Sequence, residues 1–223
     1  MQVTKNIDAP TIPTAAQQPA ATVFPSTYMG PVQLFSAMLK AGEAQVEQYD
    51  HYVKQTYRNR CTIAGPNGTQ TLTIPVERSG EGKTVMRDLR ISDHGNWRHL
   101  HWNALESSYG KSPFFEYYAD DLRPFYTERR WTFLIDFNEE LTSKILELLD
   151  VDIVLTRTSQ YAGADLHQWA EPSALRTLPA KPYYQVFAQR HGFLPHLSIA
   201  DLLFNMGPEA VLWMGERPSP APL

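Results

Sequence analysis

The stretch that decides the fold is VMRDLRISDHGNWRHLHWNALESSYGKSPFFEYYADDLRPFY, residues 85–126, where His, Arg, Trp and Tyr are most densely mixed. The polar residues 92–96 form a turn cluster that can cap a helix, and the pattern after them predicts that helix over residues 97–109. A Gly and a Pro within residues 110–113 then end it. A functional site is therefore expected first in this stretch.

One face of the predicted helix combines apolar side chains with a histidine. The spacings of four and three residues place on this stripe Trp97, His101, Leu105 and Ser108, with Leu100 and Ala104 beside it. His99 and Asn103 lie off the stripe. A histidine on such a face is more often a hydrogen-bonded interior group than a catalytic one. The number of basic groups favours function, because they cannot all be buried without partners.

The length and composition are those of an ordinary globular protein. The chain has 223 residues, of which 43% are hydrophobic and 20% are charged, enough for one large domain or two intimate ones. We expect residues 1–20 to be a disordered leader, because they are rich in Pro, Ala, Gln and Thr. Residues 21–214 are expected to form a single domain, and residues 215–223 a disordered tail.

Composition also disfavours several classes of function. The formal net charge of −4 and the pI near 6.0 argue against a nucleic-acid-binding protein. The single cysteine, Cys61, excludes an internal disulfide and any multi-cysteine metal site. Without an apolar run of about 18 residues, no membrane insertion is expected, and the N-terminal residues lack the apolar core of a secretory signal. We expect a cytoplasmic protein.

The remaining pattern predicts a mixed α/β domain, in which helices flank a central mixed sheet with an early β-hairpin. Strands are expected over residues 22–26, 44–48 and 151–156. The hairpin joins residues 60–64 to residues 70–76 through an Asn67-Gly68 turn. Helices are expected over residues 31–41, 97–109, 131–149 and 198–214, and in the last of these ranges residues 206–208 separate a helix near 199–205 from a short one over 209–214. A long loop is expected over residues 157–181.

A second polar and aromatic cluster lies at residues 49–60. Its chemically useful side chains are those of Asp50, His51, Lys54, Asn59 and Arg60. A solvated loop explains the cluster equally well, although repeated tyrosines are unusual in such a loop.

Several segments together resemble the WbqC-like protein family. They are STYMGPVQLFSAML (26–39), EQYDHYVKQTYRNRCTI (47–63) with LTIPV (72–76), WRHLHWNALESSYGKSPFF (97–115), and KPYYQVF (181–187) with LSIADLLFNMG (197–207). The resemblance runs from about residue 23 to residue 214. Family members are encoded in bacterial surface-polysaccharide and O-antigen gene clusters, so the resemblance implies a role in O-antigen or lipopolysaccharide biosynthesis. It supplies no catalytic residues, and the Gln-Pro-x-Tyr of many relatives reads Pro25-Ser26-Thr27-Tyr28 here.

The leading hypothesis is a transferase that acts on a sugar nucleotide or on an activated acyl or aminoacyl donor. His101 is the candidate general base, since the ordinary pKa of histidine is close to working pH. Asp50 or Asp201 would orient it. The candidate catalytic residues are His101, Asp50 and Tyr109. The candidate substrate-binding residues are Tyr28, Lys54, Asn59, Arg60, Arg98, Lys111 and Asp201, with Arg58 as a further phosphate partner. No cofactor and no metal are expected.

Three alternatives stay open. A nucleophilic Cys61 has no motif around it. A metal site made of Asp93, His94, His99 and His101 is disfavoured, because His99 and His101 diverge on a helix. A non-catalytic binding or scaffolding partner of a glycan-biosynthesis enzyme fits the abundance of Tyr and Trp equally well. Convergence of His101, Asn59 and Arg60 on one concave pocket would favour catalysis over partner binding.

Overall fold

The computed structural model of the chain describes residues 22–77 and 83–215. The predicted leader and tail lie outside these ranges, except for Gly215. The elements in chain order are β1 (Thr22–Pro25), α1 (Val32–Ala41), β2 (Ala44–Glu47), β3 (Arg60–Gly65), β4 (Gly68–Thr73), α2 (Trp97–Tyr109), α3 (Phe115–Leu122), α4 (Pro124–Thr127), α5 (Leu134–Leu148), β5 (Leu155–Arg157), α6 (His167–Ala170), α7 (Pro172–Leu175), α8 (Ala188–His191), α9 (Ile199–Met206) and α10 (Glu209–Met214).

The mixed α/β class is confirmed, with the strands divided between two small sheets. β1, β2 and β5 form a parallel sheet in which β2 is central. Helix α1 is the crossover that connects the parallel neighbours β1 and β2. β3 and β4 form a separate antiparallel hairpin. The parallel and antiparallel pairs are therefore not joined in the single mixed sheet that the sequence pattern predicts.

The hairpin turn lies one residue earlier than predicted. Gly65 pairs with Gly68, so that Pro66 and Asn67 are the two turn residues. Proline is suited to the first position of a turn because its ring fixes φ. Gly68 follows with φ +106°, a conformation that favours glycine.

Helix α2 packs in the centre of the main core, as predicted. The buried residues on its inner face include Trp97, His101, Trp102, Ala104, Leu105 and Ser108, while His99 and Asn103 are exposed. Leu100 is 59% exposed, so its placement beside the buried stripe is wrong. Compared with the predicted stripe, the buried face of α2 is rotated towards Trp102, and Leu100 therefore faces solvent.

Two predicted elements begin later in the chain than expected. Helix α5 starts at Leu134 rather than at residue 131, because Phe133 pairs with Arg90 in an isolated antiparallel bridge. Strand β5 starts at Leu155 rather than at residue 151, and its residues Thr156 and Arg157 are exposed. β5 is therefore an exposed edge strand, whereas the apolar letters VDIVLT predicted a buried one.

The C-terminal part contains more short helices than the pattern indicated. The predicted loop over residues 157–181 includes the single-turn helices α6 and α7. The two helices expected within residues 198–214 are found as α9 and α10, with Gly207 between them. Ser198 caps α9 as expected, since its Oγ accepts a hydrogen bond of 3.2 Å from the Ala200 amide. No helix within the described ranges combines the length and the apolar character that a membrane crossing requires.

Gly207 provides a test of the packing between α9 and the segment after α2. Its φ is +51°, and a Cβ atom built there would lie 2.6 Å from the ring of Phe114. We expect Gly207→Ala to lower the free energy of unfolding by about 2 kcal/mol or more, because backbone strain and overpacking add. The measurement is urea denaturation. Gly42→Ala is the matched control, because Gly42 also has positive φ but nothing lies within 4 Å of its added Cβ. Equal losses in the two variants would contradict the packing argument.

Candidate functional site

A cleft with a volume of about 470 Å³ lies beside the end of the hairpin. Its described walls come from the loop before β3, from the chain just after β4 and from residues 83–89. The first and last of these walls are held together by backbone pairing, since the Tyr52 amide donates to the Thr84 carbonyl at 2.8 Å. This volume lies within the ordinary range of small-molecule sites.

Asn59 joins the loop before β3 to the chain after β4. Its backbone carbonyl accepts a hydrogen bond of 2.9 Å from the Ile74 amide. Its side-chain Nδ2 donates to the Ile74 carbonyl at 2.8 Å. The Asn59 side chain is buried, and its Oδ1 has no hydrogen-bond partner among the described residues. The cleft wall therefore contains an amide oxygen to which no described residue donates a hydrogen bond.

The charged side chains that line the cleft are mainly cationic. Lys54, Arg60 and Lys83 line it, and none of them forms an ion pair with a described carboxylate. The Nε of Arg60 is buried, and none of the described residues is its hydrogen-bond partner. Glu77 is the one carboxylate among the described lining residues, and it lies 3.4 Å from the Nε of Arg90. The cleft therefore has a positive balance of charge suited to an anionic ligand.

Arg58 and Asp50 form an ion pair beside this cleft and do not line it. Arg58 is 4% exposed, so its charge is neutralised by Asp50 in a buried position. Burial raises the pKa of Tyr52, while the cations of Arg60 and Arg58 act in the opposite direction. Tyr52 thus lines the cleft within the electrostatic field of both arginines.

His101 lies behind the cleft and is not one of its lining residues. Its Nδ1 is 2.9 Å from the Tyr28 hydroxyl, and the Thr73 backbone carbonyl contacts the ring. Burial lowers the pKa of His101 to about 4, although the Thr73 carbonyl opposes this shift. The imidazole is therefore neutral near pH 7. A carbonyl only accepts, so the ring donates to Thr73 and Nδ1 accepts from Tyr28.

The Tyr28 hydroxyl extends this buried network to α4. It lies 2.9 Å from the hydroxyl of Tyr126, and the side chains of both tyrosines are buried. Because the Tyr28 proton is directed to His101, the Tyr126 hydroxyl donates to Tyr28. The network therefore satisfies its own members and presents no free group to the cleft.

Asp201 and Tyr109 belong to a second buried network. The Tyr109 hydroxyl donates to Oδ1 of Asp201 at 2.8 Å, and the Tyr183 hydroxyl donates to Oδ2 at 2.7 Å. Gln185 Nε2 donates to Oδ2 at 3.1 Å. Burial raises the pKa of Asp201 to about 6, and these hydrogen bonds oppose the shift. The network ties α9 to α2 and to the chain before α8, which is a structural role.

The predicted site residues are thus distributed over several places. Lys54, Asn59 and Arg60 share the cleft. Arg98 lines a smaller cavity of about 130 Å³ at the start of α2, where it pairs with Asp93 and lies 4.5 Å from the Trp97 ring. Lys111 is exposed to solvent.

The expected orientation of His101 by a carboxylate does not occur. The side-chain carboxylate of Asp50 pairs with Arg58 and that of Asp201 with two tyrosines, and neither contacts His101 among the described residues. Tyr28 takes this orienting role instead, because a neutral hydroxyl is a less costly partner for a neutral imidazole in the core than a buried charge is.

Sequence reasoning missed two of the cleft residues, Tyr52 and Lys83. Tyr52 belongs to the cluster of repeated tyrosines at residues 49–60, and that repetition was the available signal. Lys83 is one charge in a glycine-rich loop, and nothing in its neighbourhood of the sequence links it to Arg60.

The two other chemistries considered from the sequence have no geometric support. Cys61 is fully buried in β3, and burial raises the pKa of its thiol. Among residues 22–77 and 83–215, no three His, Cys, Asp or Glu side chains lie close enough together to hold a metal ion. Asp93, His94, His99 and His101 therefore do not form one ligand set.

The buried thiol leads to a direct test. We expect native protein to resist alkylation by iodoacetamide at pH 8, because only the exposed thiolate reacts. In urea the same residue becomes reactive. Intact mass spectrometry measures this without ambiguity, since the chain has one cysteine. Rapid alkylation of the native protein would contradict the burial of Cys61.

The two buried networks are expected to give opposite dependences of stability on pH. The pKa of His101 falls from 6.5 to about 4 on folding, so its contribution to stability is lost as pH falls through this window. The pKa of Asp201 rises from 3.8 to about 6, so its contribution grows as pH falls from 6 to 3.8. In the wild-type protein these two opposite effects of pH on the free energy of unfolding largely cancel.

Single substitutions should reveal how each residue makes the free energy of unfolding depend on pH. Relative to wild type, His101→Gln is expected to gain stability as pH falls from 6 to 4.5, and Asp201→Asn to lose it. Each slope should approach about 1 kcal/mol per pH unit. Urea denaturation at several pH values measures both. His99→Gln is the control, because it removes an exposed histidine from the same helix. A slope for His101→Gln equal to that of the control would contradict this assignment.

Comparison with known proteins supplies the family. The sequence matches the WbqC-like protein family over residues 26–177, a range that contains every described wall of the cleft. The uncharacterized protein Rv1507c of Mycobacterium tuberculosis (strain ATCC 25618 / H37Rv) is 31% identical, and the alignment covers 71% of this chain and 81% of that protein. No solved structure matches the chain significantly. The chain therefore belongs to the WbqC-like protein family.

Proposed function

We propose that the cleft binds a phosphorylated donor and that the protein is a cytoplasmic transferase in the biosynthesis of bacterial surface polysaccharide. The donor is a sugar nucleotide or an activated acyl or aminoacyl compound. Family membership supports the pathway, because WbqC-like proteins are encoded in O-antigen and other surface-polysaccharide gene clusters. The observation that carries the proposal is the set of cleft cations without carboxylate partners, Lys54, Arg60 and Lys83.

The charge of the cleft favours a phosphorylated ligand. Three cations and one carboxylate line the described part of the cleft, and a bound anion would relieve the repulsion among the cations. Arginine suits bidentate contact with phosphate oxygens, and lysine adds a mobile point charge. The cleft is partly enclosed by protein, which strengthens each contact relative to bulk water. A phosphate group is the common feature of the donors named above, so it is the part of the ligand that this charge recognises.

His101 has a positional role in this proposal. It does not line the cleft, and its ring donates to the carbonyl of Thr73, which does. The imidazole thereby fixes the end of β4 against α2, and the Tyr28 hydroxyl fixes the imidazole. The effect on the ligand is indirect, through the shape of the cleft wall.

The position of His101 favours the second candidate function, because Asn59 and Arg60 line the cleft and His101 does not, so the three groups do not converge on one pocket. A cleft that binds an anion while the histidine lies behind its wall also suits a non-catalytic protein that presents a donor to a partner enzyme of glycan biosynthesis. Turnover distinguishes the two. A transferase releases product from the donor in the presence of acceptor, whereas a presenting protein binds the donor and leaves it unchanged.

The binding step can be tested with purified protein. Nucleotide sugars, acetyl-CoA and aminoacyl donors are screened by thermal shift, because a ligand of the native state raises the melting temperature. For any compound that binds, Arg60→Gln is expected to weaken binding about tenfold or more, as for the loss of a charged hydrogen bond. Titration calorimetry measures the affinity.

Arg190→Gln is the matched control, because Arg190 is exposed and does not line the cleft. It should bind like wild type. The proposal fails if Arg60→Gln binds as tightly as Arg190→Gln, or if no compound in the screen stabilises the native protein.

A further inference from the structure

The orientation of the Asn59 side chain is fixed by its neighbour. Its Nδ2 donates to the backbone carbonyl of Ile74 at 2.8 Å. A carbonyl oxygen only accepts, so an exchange of the amide nitrogen and oxygen would bring two acceptors together. Oδ1 must therefore be the free end. It is buried and has no donor among the described residues.

A buried amide oxygen without a partner requires an explanation, because almost all such atoms in folded proteins are hydrogen-bonded. Asn59 is 3% exposed and lines the cleft. Tyr52 lines the same cleft, but no hydrogen bond joins its hydroxyl to Oδ1 of Asn59. It does not supply the missing donor. The donor is therefore expected from a molecule that enters the cleft.

The charge around Asn59 selects the kind of donor. An amide oxygen accepts equally well from a hydroxyl, an amide or an ammonium group. Arg60, Lys54 and Lys83 line the same cleft and outnumber its one described carboxylate, Glu77, so the balance of charge would repel an ammonium group. This repulsion disfavours the free amino group of an aminoacyl donor. A neutral hydroxyl meets no such penalty, and the same cations require an anionic group elsewhere in the molecule.

Tyr52 contributes an aromatic surface to the same wall. Its side chain is partly buried and lines the cleft with Asn59 and Arg60. An aromatic ring offers a flat apolar surface beside a polar tip, which suits a ring that has both C–H groups and hydroxyls. A hydroxyl donor, an anionic group and a ring of mixed polarity occur together in a phosphorylated sugar.

We infer that the ligand of the cleft is a sugar phosphate. One sugar hydroxyl donates to Oδ1 of Asn59, the sugar ring packs on Tyr52, and the phosphate binds between Arg60 and the two lysines. This inference rests on the proposed function, because the proposed function is what makes the ligand an anion. The inference adds that a sugar is the group bound beside the phosphate. Among the proposed donors it therefore favours the sugar nucleotides.

The test compares inorganic phosphate with the 1-phosphates of glucose, galactose and mannose by titration calorimetry. At least one sugar phosphate is expected to bind wild type about tenfold more tightly than inorganic phosphate. Asn59→Ala should reduce that ratio towards one while the affinity for inorganic phosphate stays the same. Tyr52→Leu should lower the ratio too, and it leaves the Asn59–Ile74 contact in place should Asn59→Ala fail to fold.

Asn103→Ala is the control, because it removes an exposed asparagine of α2 outside the cleft. If wild type binds sugar phosphates no more tightly than inorganic phosphate, the sugar assignment is overturned and the anion site stands. The same holds if the ratio is unchanged in both Asn59→Ala and Tyr52→Leu. If none of the phosphates binds, the anion site and the sugar assignment both fail.

Discussion

The hydroxyl of Tyr28 connects the parts of the core that give the cleft its shape. It bonds to His101 on α2 and to Tyr126 on α4, while the Tyr28 backbone amide donates to the Tyr57 carbonyl. The imidazole continues the connection to Thr73 at the end of β4. Each polar group would be costly to bury alone, so all must be in place together. This mutual dependence fixes the helix, the hairpin and the loop before it in one arrangement.

The two buried networks and the cleft differ in how their polar groups are satisfied. The two buried networks use a neutral imidazole, tyrosine hydroxyls and one carboxylate with several donors, so that each donor or acceptor has a partner inside the fold. The cleft instead contains three cations and an amide oxygen that have no such partners among the described residues. The stability of the fold depends on the first set. The groups proposed to bind a ligand belong to the second.

The sequence predicts those features whose stabilising contacts are local. Helix α2 and its buried histidine follow from spacings of three and four residues, and the hairpin follows from a short turn between two β-rich runs. Strand β5 was misplaced because its position depends on pairing with Ala44, far away in the chain. Arg98 and Arg60 are both plausible phosphate ligands in the sequence. Which of them reaches the cleft is decided by the path of the chain, and the local pattern does not encode that path.

The histidine shows why a residue type is a weak guide to its role. An imidazole with an ordinary pKa is a reasonable general base, and this expectation came from His101 as an isolated residue. In the core, burial lowers the pKa to about 4, and Tyr28 occupies the lone pair that would accept a proton. Desolvation makes the ring a poor proton acceptor and keeps it neutral. A neutral group with two hydrogen-bond partners can be buried at little cost, so the imidazole is suited to a structural role between Tyr28 and Thr73. Loss of this buried imidazole would move the Thr73 side of the cleft without removing any side chain that lines it.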